Sequence, residues 1–422
     1  MKHNYTAQFS KIIITFILSM VFLAIPHISA KADVKLNDSV ITQKEATGKS
    51  ITFTFTPVDN GKYYKMLYST DQVNWKEDDT RYMRAATAKI YLLEPATTYY
   101  IKVCTYNDIN TEDITSESKP YALITGPDYV KNIEQVSSST DSVTISWTPD
   151  AWADGYYVYR GSVEQGNIVC DVTNNSATLT GLKESDYESR SNYSYYVVSY
   201  KRITDSYTAT SIRSDVFYAY VNPKKVTNLK EEEWLATTNE AHIKWDEQAY
   251  SSGYEIQILN IKDKVIKNDN IEFSSHTTYK FKNKSVKATG FIFRIRPYRT
   301  EYNKNLYGEW NEIVCVPSPK ITKLKKSGTN SAVLKWNEVK GAKNYTIYAM
   351  SYAGNGKVSK KKVAKVGSKT TKYTIKNLSG CGSGYYRTIY FYVQANKVKV
   401  KGKKYNSYFE YMWYYNYKKI DY

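Results

Sequence analysis

Four times along the chain an aromatic residue closes an alternating apolar run, and a tyrosine follows nine residues later. The pairs are Phe55 with Tyr64, Trp147 with Tyr156, Trp245 with Tyr254, and Trp336 with Tyr345. Successive aromatics stand 92, 98 and 91 residues apart. A repeat of this length is too long for a solenoid unit and long enough to enclose a core of its own. The chain therefore reads as a tandem array of one small domain, used four times in 422 residues.

Each repeat reads as β throughout. Ahead of the key aromatic, apolar residues alternate with polar ones: Ile51-Phe53-Phe55, Val143-Ile145-Trp147, Ala241-Ile243-Trp245 and Ala332-Leu334-Trp336. Period two puts each set on one face, as a strand covering a core requires. A second strand opens at the tyrosine, most plainly in Tyr254-Ile256-Ile258 and Tyr345-Ile347-Ala349. One sheet of such strands cannot close a core, so two facing sheets of about seven short strands in all is the expected unit.

These residues resemble the fibronectin type III module. Its marks are the tryptophan of the second strand, the alternation of the third, and a stretch Leu-x-Pro-x-Thr-x-Tyr, which the first repeat has in full as Leu93, Pro95, Thr97 and Tyr99. In that family the tyrosine forms a corner, its hydroxyl bonded back to the main chain. The second repeat has Leu182, an insertion, then Tyr193, Tyr195 and Val197; the third has Phe291 where the tyrosine would stand; the fourth has Leu378 followed by Ile389, Phe391 and Val393. The first repeat has Phe55 in place of the tryptophan. The fourth, through Lys335-Trp336-Asn337-Glu338-Val339-Lys340-Gly341-Ala342, is similar to lysine-rich fibronectin-type modules at the C-termini of exported proteins of Gram-positive anaerobes. The resemblance implies an all-β fold, a tandem array of four immunoglobulin-like sandwiches with Phe55, Trp147, Trp245, Trp336 and Tyr99 in their cores. It says little about function, since this module is a spacer as often as a binder.

Residues 1–32 read as a signal peptide: Lys2 and Lys11, an apolar run Ile12 to Ile25, then Ala30-Lys31-Ala32. An apolar run of 14 residues falls short of the about 20 a spanning helix needs. The restarts of the motif place the modules at 33–126, 127–221, 222–317 and 318–422, each new one preceded by proline at Gly126-Pro127, Asn222-Pro223 or Pro317-Ser318-Pro319. Linkers this short suggest a semi-rigid row of separate domains. No second hydrophobic segment, sorting motif or lipid-accepting cysteine is present, so a secreted product held non-covalently at a surface is expected. Cys104, Cys170, Cys315 and Cys381 fall one per repeat, whereas stapled domains carry cysteines in pairs, so four free thiols are expected.

The charge is uneven. From Ser318 onward there are 22 lysines, one arginine (Arg387) and three acids, a net +20 against +18 for the whole chain. Three clusters carry it: Lys323-Lys325-Lys326, Lys360-Lys361-Lys362-Lys365, and Lys397-Lys399-Lys401-Lys403-Lys404. Alternation in the last predicts Lys397, Lys399, Lys401 and Lys403 on one side of a hairpin, Val398 and Val400 on the other, and Gly402 at the turn. Two reasons for such a row compete. Lysine on an exposed edge strand discourages aggregation, and a cationic face concentrates an anionic polymer. Lysine holds phosphate diffusely where arginine would grip one group in two prongs, which favours a repeating polyanion such as a cell-wall polymer over a defined phospho-site. Nucleic acid shares the electrostatics, but the expected export disfavours it. The surface-attachment candidates are therefore Lys360, Lys361, Lys362, Lys397, Lys399, Lys401 and Lys403.

Tyrosine is the second excess, 43 residues, densest in the run containing Tyr411, Trp413 and Tyr415. Exposed aromatics beside lysine could stack on sugar rings, although tyrosine also suits any half-wet sheet surface. Raw material for catalysis is poor. His242 is expected to point to solvent between inward Ala241 and Ile243, and His276 lies in a polar run. Glu231-Glu232-Glu233 reads as solvated acids. No nucleophile elbow, phosphate loop or calcium loop is present. No enzyme activity, metal or cofactor is expected. The sequence points to an extracellular binding or adhesion scaffold, with glycan or surface-protein binding, or a spacer role in an exported carbohydrate-active system, as the alternatives.

Overall fold

A computed structural model of the chain describes residues 35–58, 61–78, 82–83, 86–106, 114–284, 288–352, 358–382, 388–408 and 418–421. The leader assigned to residues 1–32, and Tyr411, Trp413 and Tyr415, lie outside them. The chain divides into two compact units, Met1–Gly126 and Pro127–Tyr422.

The first unit pairs two sheets. One orders its strands Ile41–Thr47, Ser50–Phe55, Thr87–Tyr91; the other is built on Tyr63–Ser69 and Thr98–Tyr106. The second unit repeats this division three times. Glu134–Ser138, Ser142–Ser146 and Ser176–Thr180 form one sheet, and Ile168–Val172, Gly155–Arg160, Ser194–Thr204 and Tyr207–Thr210 the sheet that faces it. Next come Lys230–Leu235, Glu240–Lys244 and Thr278–Lys282 against Val265–Ile271, Gly253–Asn260, Phe291–Glu301 and Lys304–Tyr307. The last set is Ile321–Gly328, Ser331–Trp336 and Lys372–Ile375 against Val358–Gly367, Asn344–Tyr352, Thr388–Asn396 and Lys418–Asp421. Both sheets of each set send apolar residues into one core, as Val143, Ile145 and Leu179 meet Tyr156, Val158 and Val197 in the second. The all-β tandem of four sandwiches expected from the repeat is the fold.

The repeated aromatic pair sits at the centre of each sandwich. Phe55, Trp147, Trp245 and Trp336 are 3, 3, 1 and 3 % exposed, and their rings meet the paired tyrosines at 5.0, 5.2, 5.4 and 5.8 Å between centroids. The tyrosine hydroxyl then performs the same task four times. It accepts the backbone N–H of the residue three places after the aromatic: Val58 at 3.2 Å, Asp150 at 2.8 Å, Gln248 at 2.9 Å and Val339 at 2.9 Å. The loop joining the two sheets is thereby fastened from inside, and a backbone donor that leaves the ladder is satisfied. The tyrosine corner expected of the first repeat also forms, the Tyr99 hydroxyl accepting the Glu94 amide at 2.9 Å. Phe291 and Ile389, both buried, stand at the corner position of the third and fourth modules and carry no hydroxyl to form it.

Within Pro127–Tyr422 the modules are not separate beads; each presses on the next. The second repeat's insertion folds into the turns Glu184–Glu188 and Arg190–Tyr193. Its Glu184 accepts the Lys224 amide at 2.8 Å and reaches Gln248 at 3.4 Å, and Tyr250 of the third module bonds Glu188. Two-residue hairpin tips make further contacts. Tyr302 and Asn303, both at positive φ, turn the third module's chain so that the Tyr302 hydroxyl bonds the N–H and C=O of Tyr218, each at 3.2 Å. Lys401 and Gly402, again both at positive φ, form the corresponding tip of the fourth, where Lys401 reaches Asp263 at 3.0 Å and Glu312 at 3.1 Å in the third. This backbone matches the twist of flanking strands. Leu259, Ile292 and Val316 of the third module join the fourth module's core at the same junction.

Candidate functional site

The lysines of the last module divide by structural position rather than by sequence cluster. Val398 and Val400 are buried and Lys397, Lys399, Lys401 and Lys403 exposed, yet the four do not share a face. The turn has two residues, so the register pairs Val400 with Lys403 and Lys399 with Lys404. Cross-strand partners share a face, which places Lys403 on the valine side and sets Lys404 beside Lys399. Lys401 is committed to the third module, and its bond to Asp263 raises its pKa. The expected row of four is overturned by turn parity.

The middle cluster lies on Val358–Gly367, an edge strand paired, among the described residues, only with Asn344–Tyr352. Lys360 is half-buried, its Nζ 4.2 Å from the Tyr348 ring centroid, and burial lowers its pKa. Lys361 donates to the Gly380 carbonyl at 2.6 Å. Lys362 is exposed opposite Tyr348. An edge strand guarded by lysine is what protection against edge-to-edge pairing looks like.

A different arrangement appears on the three-stranded sheet. Lys323 lies directly across from Lys335, and Lys335 across from Lys372. All three are exposed, and none is ion-paired among the described residues. Lys325 follows two places along from Lys323 and is exposed as well. This row was hidden in the sequence because its members come from three strands, 12 and 37 residues apart. Only the pairing of a first, second and fifth strand brings them level.

The acids and histidines are more engaged than their sequence suggests. His242, expected in solvent, is largely covered, with Nε2 2.8 Å from Glu240 and Nδ1 3.3 Å from Glu233. A bulge between Glu231 and Glu233 separates the three neighbouring acids. Glu232 stands 3.8 Å from Lys244. Glu231 turns inward instead of being solvated: it accepts the Val316 amide, its Oε1 is sealed without a partner, and burial pushes its pKa well up. Cys315 and Tyr392 are close enough to feel its charge. No group of three or more His, Cys, Asp or Glu able to hold a metal occurs among the described residues. No helix among them is long and apolar enough to cross a membrane.

Many tyrosines serve the chain itself. Tyr187, Tyr193, Tyr218, Tyr220, Tyr250 and Tyr302 gather where the second and third modules meet, with centroids 5.3 to 6.1 Å apart along the cluster. The Arg299 guanidinium lies 3.8 Å from the Tyr187 centroid and 5.0 Å from that of Tyr220.

Strand order and core define a tandem of fibronectin type III-like sandwiches. Among solved structures the chain is similar to the FN1–FN3 domains of chicken CNTN1, at 16% identity and TM-score 0.28, over 66% of this chain and 97% of that one. It is similar also to a two-domain fibronectin type III segment of chicken tenascin, at 18% identity and TM-score 0.21, over 43% and 98%. No protein-family profile and no curated protein matches the chain.

Proposed function

We propose that the chain is an exported, non-enzymatic binding scaffold, with modules bounded at 33–126, 127–221, 222–317 and 318–422, whose last module attaches it to an anionic surface polymer. The observation that carries this reading is the segregation of charge: a net +20 from Ser318 onward and a slightly negative remainder. Lysine supplies nearly all of it, which suits diffuse contact with a repeating anion. Contacts between the later modules support a scaffold role, since a domain that presents or anchors gains from a fixed neighbour. The test is retention of the full chain on purified wall polymer in a salt titration. Counterion release requires retention to fall steeply as salt rises. Retention unchanged between dilute buffer and near-molar salt would refute attachment by charge.

A further inference from the structure

The geometry points to one face of the last module as the attachment site: the outer surface of its three-stranded sheet, carrying Lys323, Lys325, Lys335 and Lys372, for a linear phosphodiester polymer lying across the strands. This rests on the reading above and narrows it from a module to four side chains.

Edge protection accounts for lysines on Val358–Gly367, and it could account for Lys323 and Lys372 on the two outer strands. It cannot account for Lys335. Ser331–Trp336 is the central strand, paired on both sides, so no open edge there needs guarding. Directly opposed like charges destabilise a sheet, and this row opposes three with adjacent strands about 4.8 Å apart. A feature that weakens the fold and protects no edge calls for a ligand that neutralises it.

The other modules give the comparison. At the equivalent row, the residue before the key aromatic and its two neighbours, the first module has Thr42, Thr54 and Thr87. The second has Glu134, Ser146 and Ser176. The third has Lys230, Lys244 and Thr278, with Glu232 beside Lys244. The same face of the third module also sets Lys280 across from His242, itself held by Glu233 and Glu240. The fourth module alone has three cations in this row, and it has dropped the acids that balance its neighbour.

The chemistry selects the ligand. Lysine makes a hydrated, single-point contact on a flexible stem, which suits a chain carrying one charge per repeat rather than a rigid two-pronged group. Thr374 and Val333 pair beside the cations on this face, adding no charge to the row.

The full chain is compared with two triple variants of equal charge, binding purified poly(glycerol phosphate) across a salt series. One is Lys323→Gln, Lys335→Gln, Lys372→Gln. The other is Lys362→Gln, Lys365→Gln, Lys404→Gln, all exposed and outside this face. The first is expected to lose about tenfold or more at 0.1 M salt and to show a salt slope shallower by about 2, as three lost contacts require. The second should keep the parent slope. Thermal melting should show the first variant at least as stable as the parent, since opposed charges are relieved. Equal weakening of both variants would overturn this face while leaving charge attachment standing. No binding by the parent in dilute buffer would overturn attachment itself. Tighter binding of single-stranded DNA than of the polymer would overturn the choice of ligand.

Discussion

The hydroxyl of Tyr254 shows how much one atom contributes. It accepts the Gln248 amide and donates to the Ser274 carbonyl at 2.8 Å, so removing it strands a donor and an acceptor at once. Tyr254→Phe keeps the ring against Trp245 and is expected to cost about 1–3 kcal/mol, read as faster hydrogen exchange at the Gln248 amide; unchanged exchange there would refute the latch. The aromatic pair was legible in the sequence because burial imposes period two on a strand. The latch was not, because its acceptor's partner is a backbone amide and any residue can supply one. Glu231 was illegible for a related reason: three adjacent acids look alike until a bulge turns one inward. Its raised pKa carries a sign. The folded state holds its proton more tightly than the unfolded chain, so stability is fully present below the ordinary carboxylate range and is lost as pH rises through the raised value. The groups facing it, the Val316 amide, Cys315 and Tyr392, offer no cation to reverse that order. Glu231→Gln should remove this slope from the stability–pH profile and leave the third module no less stable at neutral pH. A profile identical to the parent's would show that the carboxyl is ionised where it lies.

At the scale of elements, hairpin tips and one insertion join modules that the sequence presents as independent. Four sandwiches were legible because each restarts the same alternation. Their junctions were not, because Tyr302 and Tyr218 are 84 residues apart and no period relates them. The insertion after Leu182 was visible only as a departure from pattern; its purpose appears when Glu184, Tyr187 and Glu188 meet the linker and the third module. Lysine placement failed for a geometric reason too, since a two-residue turn exchanges odd for even positions across a hairpin. Arg299 is the residue on which the second junction centres. Its guanidinium, paired with Glu301 at 2.6 Å and only 17% exposed, lies between two tyrosine faces. Arg299→Ala should cost about 1–2 kcal/mol, as a desolvated cation–π contact does. The loss should appear as faster exchange at the Tyr218 and Val221 amides, whose acceptors are the Tyr302 and Tyr187 hydroxyls. Exchange confined to residues next to Arg299 itself would mean that the junction stands without it.

For the whole molecule, four thiols distributed one to a module test whether the sandwiches are sealed by packing alone. All four are free. Cys104, Cys315 and Cys381 are buried, and burial drives the Cys104 thiol up to about 12 and the Cys315 thiol well above its ordinary value. Burial also raises Cys381 and Cys170, although Cys170 remains partly open to solvent. Thiolate is the reactive form, so apolar cores holding these groups protonated also keep them from oxidising, and stability then rests on aromatic packing rather than on cross-links. A thiol reagent added to the native full chain at neutral pH should label Cys170 slowly and the other three far more slowly. The same reagent in strong denaturant without reductant should count four. A count of two would reveal a bridge and transfer part of the stability from the cores to a covalent tie. Rapid native labelling of Cys104 or Cys315 would show instead that the sandwich around it opens far more readily than a core closed by packing should.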